Sequence, residues 1–317
     1  MKSVLKLPIA RLILFRQLCL ALIFLGAFLA LQSVPAATNV VAAVAPGTLA
    51  YQLATNAAVR AAHLPGGREK QVENQVEIYA PFSVRADRFF EPAWSHEFWL
   101  KGVSGLSATC IGYSNINNGQ GLCTMVSPRH YLCATHMHPE GKLIAFLDGN
   151  NELHWRKTLQ RLDVGIDTSV GLLDADLPPG VGFLPVLPEN FTNYLPTVPG
   201  CYVQGIGMNQ DMRLFGQPTT FAMSQFVNWD CQQTVPNGLG TNWNVRIRGG
   251  DSSNPALLLV GNQLVLISHN YFSSGGPSYA RQLDAINHTM HQLSTNNFLP
   301  TDYQLTPFPL TNWPALR

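Results

Sequence analysis

Charge is scarce in this chain. Only 12% of its 317 residues are Asp, Glu, Lys or Arg, and 20 basic against 19 acidic side chains leave a formal net charge of +1. No lysine- or arginine-rich run occurs, so the electrostatic footprint of a nucleic-acid binder is missing and no nucleic-acid partner is expected. Internal repeats and low-complexity tracts are missing as well, which excludes solenoids and arrays. The 6 cysteines include no C-x-x-C pair, so zinc-type ligand spacing is absent and neither a metal nor another cofactor is expected. The longest apolar run, Leu18 to Leu31, falls short of the roughly 20 residues that a spanning helix requires.

What is present favours a folded, exported protein. Hydrophobic residues make up 46% of the chain, enough to bury a core. The 26 glycines and 22 prolines suit many short strands joined by tight turns. Lys2, Lys6, Arg11 and Arg16 precede the apolar run, and Val34-Pro35-Ala36 follows it with small residues. That order predicts a signal peptide over residues 1–36, a secreted or periplasmic location, and no stable membrane anchor after cleavage. Cys19 is then discarded. Cys110, Cys123, Cys133, Cys201 and Cys231 meet an oxidising compartment, and an odd number leaves at least one free or paired with another molecule. Cys201 with Cys231, and Cys123 with Cys133, are the pairings that neighbouring strands would allow; small buried apolar thiols are the alternative.

Residues 37–95 read as a linker, a propeptide or an N-terminal arm, broken at Pro65-Gly66-Gly67 and strand-like only at Val76 to Tyr79. From about Glu97, short apolar runs alternate with turn residues. Phe98–Leu100, Thr109–Tyr113, Leu122–Val126, Tyr131–Ala134, Leu143–Leu147 and Ser169–Leu173 form one set. Gly182–Leu187, Cys201–Ile206, Phe221–Trp229, Trp243–Ile247, Ala256–Val260 and Leu264–Ser268 form a second. Strands at this spacing predict an all-β protein of two six-stranded antiparallel β-barrels, one over residues 96–180 and one over 181–277, joined at Pro178-Pro179-Gly180. Tyr279, Leu283, Ile286, Met290 and Leu293 then recur at helical steps, predicting a C-terminal α-helix over 278–294. The proline-punctuated remainder, 295–317, reads as an extended tail on the surface.

Three segments carry candidate chemistry. Leu132-Cys133-Ala134-Thr135-His136 closes a strand, Asp167 opens another, and Gly249-Gly250-Asp251-Ser252-Ser253-Asn254-Pro255 is a glycine-led turn. A serine hydroxyl is a poor nucleophile at neutral pH. It needs a base to take its proton, and the base needs a partner to fix its tautomer. Ser253 is a rival to Ser252, and Asp163 and Asp174 are rivals to Asp167. His138, two residues beyond His136, would share a face with it and suggests a metal-binding strand edge as an alternative.

These segments resemble the motifs of trypsin- and chymotrypsin-like serine peptidases. Ala134-Thr135-His136 is similar to the family's histidine motif, Asp167 before an apolar strand to its aspartate motif, and Gly250-Asp251-Ser252-Ser253-Asn254-Pro255 to Gly-Asp-Ser-Gly-Gly-Pro. Cys201-Tyr202-Val203-Gln204-Gly205-Ile206-Gly207 resembles the start of its second barrel. The resemblance spans about residues 96–294 and implies a chymotrypsin-like fold and a secreted endopeptidase acting on polypeptide through an acyl-enzyme. It implies Ser252 as nucleophile, His136 as general base and acid, and Asp167 as orienting carboxylate. The N–H groups of Gly250 and Ser252 would form the oxyanion hole. It also implies Ser268 in the cleft wall, and Arg246 with His269 near the primary pocket, a set that would favour acidic side chains.

The chain departs from that pattern after the serine, where Ser253 and Asn254 stand in place of two glycines. A side chain at Ser253 is expected to crowd the cleft, whereas Asn254 suits a left-handed backbone. The activation sequence Ile-Val-Gly-Gly is absent, so Asp251 needs a partner other than a new N-terminus, with Arg246 and Arg248 as candidates. A catalytically silent binding or scaffold protein on the same fold is the second reading.

Overall fold

The computed structural model describes residues 45–62, 78, 92–113, 123–137, 139–199, 201–210, 214–224, 231–235, 250–271, 275–299 and 303–316. The expected signal peptide, the strand at Trp243–Ile247, and Arg246, Arg248 and His138 lie outside these residues. Residues 41–317 form one compact unit, and no described helix is long and apolar enough to cross a membrane.

The protein is mostly β, with two six-stranded antiparallel sheets and a C-terminal helix. The first sheet contains β1 (Gly112–Tyr113), β2 (Thr124–Met125), β3 (His130–Ala134), β4 (Leu143–Leu147), β5 (Leu153–Gly165) and β6 (Thr168–Leu173), in the order β1-β4-β5-β6-β3-β2. An isolated antiparallel bridge, Thr109 to Thr124, links the segment ahead of β1 to β2 at the far edge. The second sheet contains β7 (Val203–Gln210), β8 (Leu214–Phe221), β9 (Cys231–Val235), β10 (Pro255–Val260), β11 (Gln263–His269) and β12 (Gly275–Pro277), in the order β11-β10-β7-β8-β9-β12.

Strands with two buried faces are the ones the sequence announces. Leu257, Leu259, Leu264 and Leu266 pack into one apolar cluster, and Leu258, Val260, Val265 and Ile267 into another, so β10 and β11 read as continuous apolar runs. The longest strand is different. β5 is made almost entirely of half-buried and exposed positions and carries Arg156, Lys157, Arg161 and Asp163, which is why its sequence offers no apolar run. Conversely, Phe98–Leu100 is apolar because it is buried in turns, not because it is a strand. Gly182–Leu187 is an extended segment that pairs only through Val186, with Leu266 and Pro307. The expected strand at Phe221–Trp229 begins where β8 ends.

The C-terminal helix spans Leu283–Asn296 and buries Ile286, Met290 and Leu293 in the larger core. A second helix, Leu49–Ala61, falls within the stretch expected to be a linker, propeptide or arm. Thr48 caps it by accepting the Tyr51 N–H, the usual role of a threonine at a helix start. Leu49, Ala50 and Leu53 pack with Leu258, Val260 and Phe221. Asn56 Nδ2 donates to the Leu259 carbonyl, and Trp313 Nε1 in the tail donates to Gln52 Oε1. This helix and the tail are therefore integral to the second sheet. The small residues that make it look like a linker (Ala50, Ala57, Ala61) are buried against strands.

Cys110, Cys123, Cys133 and Cys201 are free thiols, the first three fully buried. Neither expected disulfide is formed by Cys123, Cys133 or Cys201. Burial pushes the thiols of Cys123 and Cys133 well above their ordinary range, so they behave as small apolar core residues.

Candidate active site

Strand pairing brings the first two candidate residues together. β3 and β6 are antiparallel neighbours with Ala134 opposite Thr168, so the residue just past the end of β3 lies beside the residue just before β6. His136 sits in a short 3-10 turn after β3. Asp167 is the second residue of a two-residue hairpin loop, because Gly165 pairs with Thr168. Both loop residues have positive φ, Ile166 at 47° and Asp167 at 55°. That is the geometry of a tight primed hairpin turn. An isoleucine there is costly, on the order of 1–2 kcal/mol, and strain of this kind persists only where surrounding contacts hold it.

The carboxylate of Asp167 makes two bonds to one residue. Oδ2 is 2.6 Å from His136 Nδ1, and Oδ1 accepts the His136 backbone N–H at 3.2 Å. A carboxylate accepts only, so Nδ1 carries the proton and Nε2 is left as an acceptor. Ser252 Oγ lies 2.9 Å from that Nε2. His136, Asp167 and Ser252 thus form one hydrogen-bonded line with both imidazole nitrogens engaged. The His136 side chain is 47% exposed and that of Asp167 20%, and Ser252 is half-buried, so the line is most open to solvent at the imidazole.

The rivals are elsewhere. Asp163 Oδ1 accepts from Ser169 Oγ and Arg161, and Asp174 Oδ1 accepts the Lys157 N–H. Arg161 Nη1 also donates to the Thr135 carbonyl, bracing the turn that carries His136. Among the described residues, Asp148, Glu152 and His154 form the one group of potential metal ligands. The Asp148 carboxylate there is already spent on the Asn150 and Glu152 N–H groups and on His154 Nε2.

Ser253 does not crowd the cleft. It is fully buried, and its Oγ accepts the Ala134 N–H at 2.8 Å, so it ties the serine turn of the second sheet to the end of β3. The left-handed residue is Ser253, with φ 74°, rather than Asn254. Asn254 instead donates from Nδ2 to Asp251 Oδ1 and from its backbone to the Asp251 carbonyl. Asp251 is 1% exposed, and Asn254 supplies one partner for its carboxylate; Arg246 and Arg248, the expected partners, lie outside the described residues. Ser253→Ala should cost about 1–3 kcal/mol by leaving the buried Ala134 N–H without its acceptor, read as a lowered urea midpoint. Ser253→Gly should recover about 1 kcal/mol of that by relaxing the backbone.

Gly250 has φ 104°, a conformation open to glycine. Neither its N–H nor that of Ser252 has an acceptor among the described residues. Ser268 is buried and donates to the His269 carbonyl. His269, expected beside the substrate, is 1% exposed and turned inward. Its Nε2 is 3.2 Å from the Asp167 carbonyl oxygen, and its Nδ1 bonds the Tyr279 hydroxyl.

Two buried histidines make the fold acid-sensitive. Burial lowers His269 to about 3 and His130, held between Ser127 Oγ and Ser294 Oγ, to about 4. Between the ordinary value of 6.5 and those values, the unfolded chain binds protons that the folded chain refuses. Stability therefore falls as pH drops through that window. Urea midpoints measured from pH 7 to pH 4 should decline, and less steeply in His130→Asn.

No protein-family model matches the chain, and no curated protein does.

Proposed function

We propose that the chain is a serine hydrolase of the chymotrypsin-like type, an endopeptidase that cleaves polypeptide through an acyl-enzyme. The observation that carries this reading is the continuous line from Asp167 Oδ2 through His136 to Ser252 Oγ, with spacings of 2.6 and 2.9 Å. Two six-stranded antiparallel sheets flanking that line, and the Thr109–Thr124 bridge across the edges of the first, support two barrels as the scaffold.

Each residue has a role that its geometry permits. The Ser252 hydroxyl attacks the scissile carbonyl carbon while its proton passes to His136 Nε2. Asp167 keeps Nδ1 protonated and stabilises the imidazolium that results. The carbonyl oxygen becomes an oxyanion within reach of the Gly250 and Ser252 N–H groups, donors worth roughly 3–4 kcal/mol each in sites of this kind. The imidazolium then returns its proton to the leaving amine, and water repeats the cycle on the ester. Arg246, six residues ahead of Ser252, is the candidate for the cleft side of the reading, with acidic side chains as the favoured substrate class. The basic, then apolar, then small-residue order of residues 1–36 supports export of the mature chain to a secreted or periplasmic location.

Reaction with a fluorophosphonate probe and peptide mapping test this. Modification of Ser252 is the expected result. A folded, processed chain that stays unlabelled would overturn the reading in favour of a silent scaffold.

A further inference from the structure

Tyr279 and His269 make a chain of contacts that ends on the residue orienting the general base. His269 lies at the end of β11, and Tyr279 opens the 3-10 turn ahead of the C-terminal helix. Both are within 1% of complete burial. The Asp167 carbonyl oxygen can only accept, so the 3.2 Å contact places the proton on His269 Nε2. Nδ1 then accepts, and the Tyr279 hydroxyl donates to it. The imidazole is consequently a neutral, single tautomer with both nitrogens spent.

The group it holds needs holding. Asp167 and its neighbour Ile166 both have positive φ. The Asp167 carbonyl takes a second bond from the Thr135 N–H at 3.0 Å. Thr135 belongs to the His136 turn, whereas His269 belongs to the other sheet, so the two bonds pin the loop from both sides. The backing is rigid. A Cβ on Gly276 would overlap the His269 carbonyl oxygen, so β12 lies directly against the histidine's backbone. Nothing in this arrangement leaves a ring nitrogen for substrate.

We infer that His269 and Tyr279 are a neutral positioning pair that clamps the Asp167 loop from the second sheet and so aims its carboxylate at His136. This assigns His269 to the back of the triad rather than to substrate, and its catalytic consequence rests on the hydrolase reading above. Because Asp167 bonds both the side chain and the backbone N–H of His136, a small rotation of the loop lengthens both contacts. The imidazolium formed when His136 takes a proton then loses stabilisation.

The test uses the full mature chain and three variants, Tyr279→Phe, His269→Gln and His269→Phe. Tyr279→Phe removes a single oxygen from a packed ring. Glutamine carries a donor and an acceptor on one amide, as the neutral imidazole does on its ring. Two measurements are made. Proton–nitrogen NMR follows the resonance of the His136 Nδ1 proton, which reports its bond to Asp167, and the rate of fluorophosphonate labelling is followed alongside. Tyr279→Phe and His269→Phe should move that resonance upfield as the bond lengthens and slow labelling about tenfold, with His269→Gln restored to within about threefold of the parent. An unmoved resonance in all three variants, with thermal midpoints showing them folded, overturns the inference. If the parent chain is not labelled at all, the hydrolase reading fails instead, and the Nδ1 resonance still decides whether the pair positions Asp167.

Discussion

Ser252→Ala should abolish fluorophosphonate labelling and reduce turnover by on the order of 10⁶-fold, with little change in substrate affinity or in the urea midpoint. On the proposed hydrolase reading, one oxygen carries the covalent step. Ser253, the adjacent hydroxyl, cannot substitute for it, because its Oγ is buried and bonded to the Ala134 N–H. A Ser252→Ala protein would retain the general base and the two oxyanion donors, so it should still bind a peptide aldehyde or product, only without a covalent adduct. Residual activity above background would require water as the nucleophile. Mass spectrometry of the labelled parent and the unlabelled variant checks the first claim, and single-turnover kinetics on a chromogenic ester checks the second. Retention of full labelling in Ser252→Ala would remove the serine from the mechanism.

Asp167→Asn should have the next largest effect, a fall of roughly 10⁴-fold in turnover near neutral pH. An amide at this position can present its NH₂ group to His136 Nδ1, which reverses the tautomer and puts the imidazole proton on Nε2, facing Ser252. The base then has no lone pair where it needs one. The substitution is close to isosteric, and the Thr135 and His269 bonds run to the Asp167 backbone carbonyl, so the loop itself should survive. The expected signature is therefore a loss of kcat without a comparable loss of stability. Activity should partly return at high pH, where hydroxide replaces the imidazole as the base that takes the serine proton. Equal losses of activity and folding would instead make Asp167 a structural residue. Asp174→Asn serves as the control, since its carboxylate bonds the Lys157 N–H, remote from the His136 ring.

The local sequence is informative where one residue type answers one local demand. Leu283, Ile286, Met290 and Leu293 share a face because the helical repeat puts them there, and the helix Leu283–Asn296 follows. β4 is found over Leu143–Leu147 as its apolar run predicts. Strands whose partners supply the burial are much harder to read. β5 is charged and half-exposed, β8 begins ahead of the segment expected to be a strand, and β12 is Gly275–Gly276–Pro277, a sequence with no strand propensity of its own. The helix Leu49–Ala61 hides in an alanine-rich stretch because its small side chains acquire meaning only against the strands they cover.

The order histidine, aspartate, serine, each at a strand end or turn, is a property of the sequence, as are the acceptor-only chemistry of a carboxylate and the apolar pattern that builds two sheets. Tertiary structure decides the rest. Antiparallel pairing of β3 with β6 sets His136 beside Asp167, and burial of Ser253 leaves Ser252 as the hydroxyl on the imidazole. Inward rotation of His269 makes it a partner of Asp167. These outcomes depend on which groups lie within about 3 Å after folding, and a hydrogen bond between residues more than 100 positions apart leaves no trace in local composition or spacing.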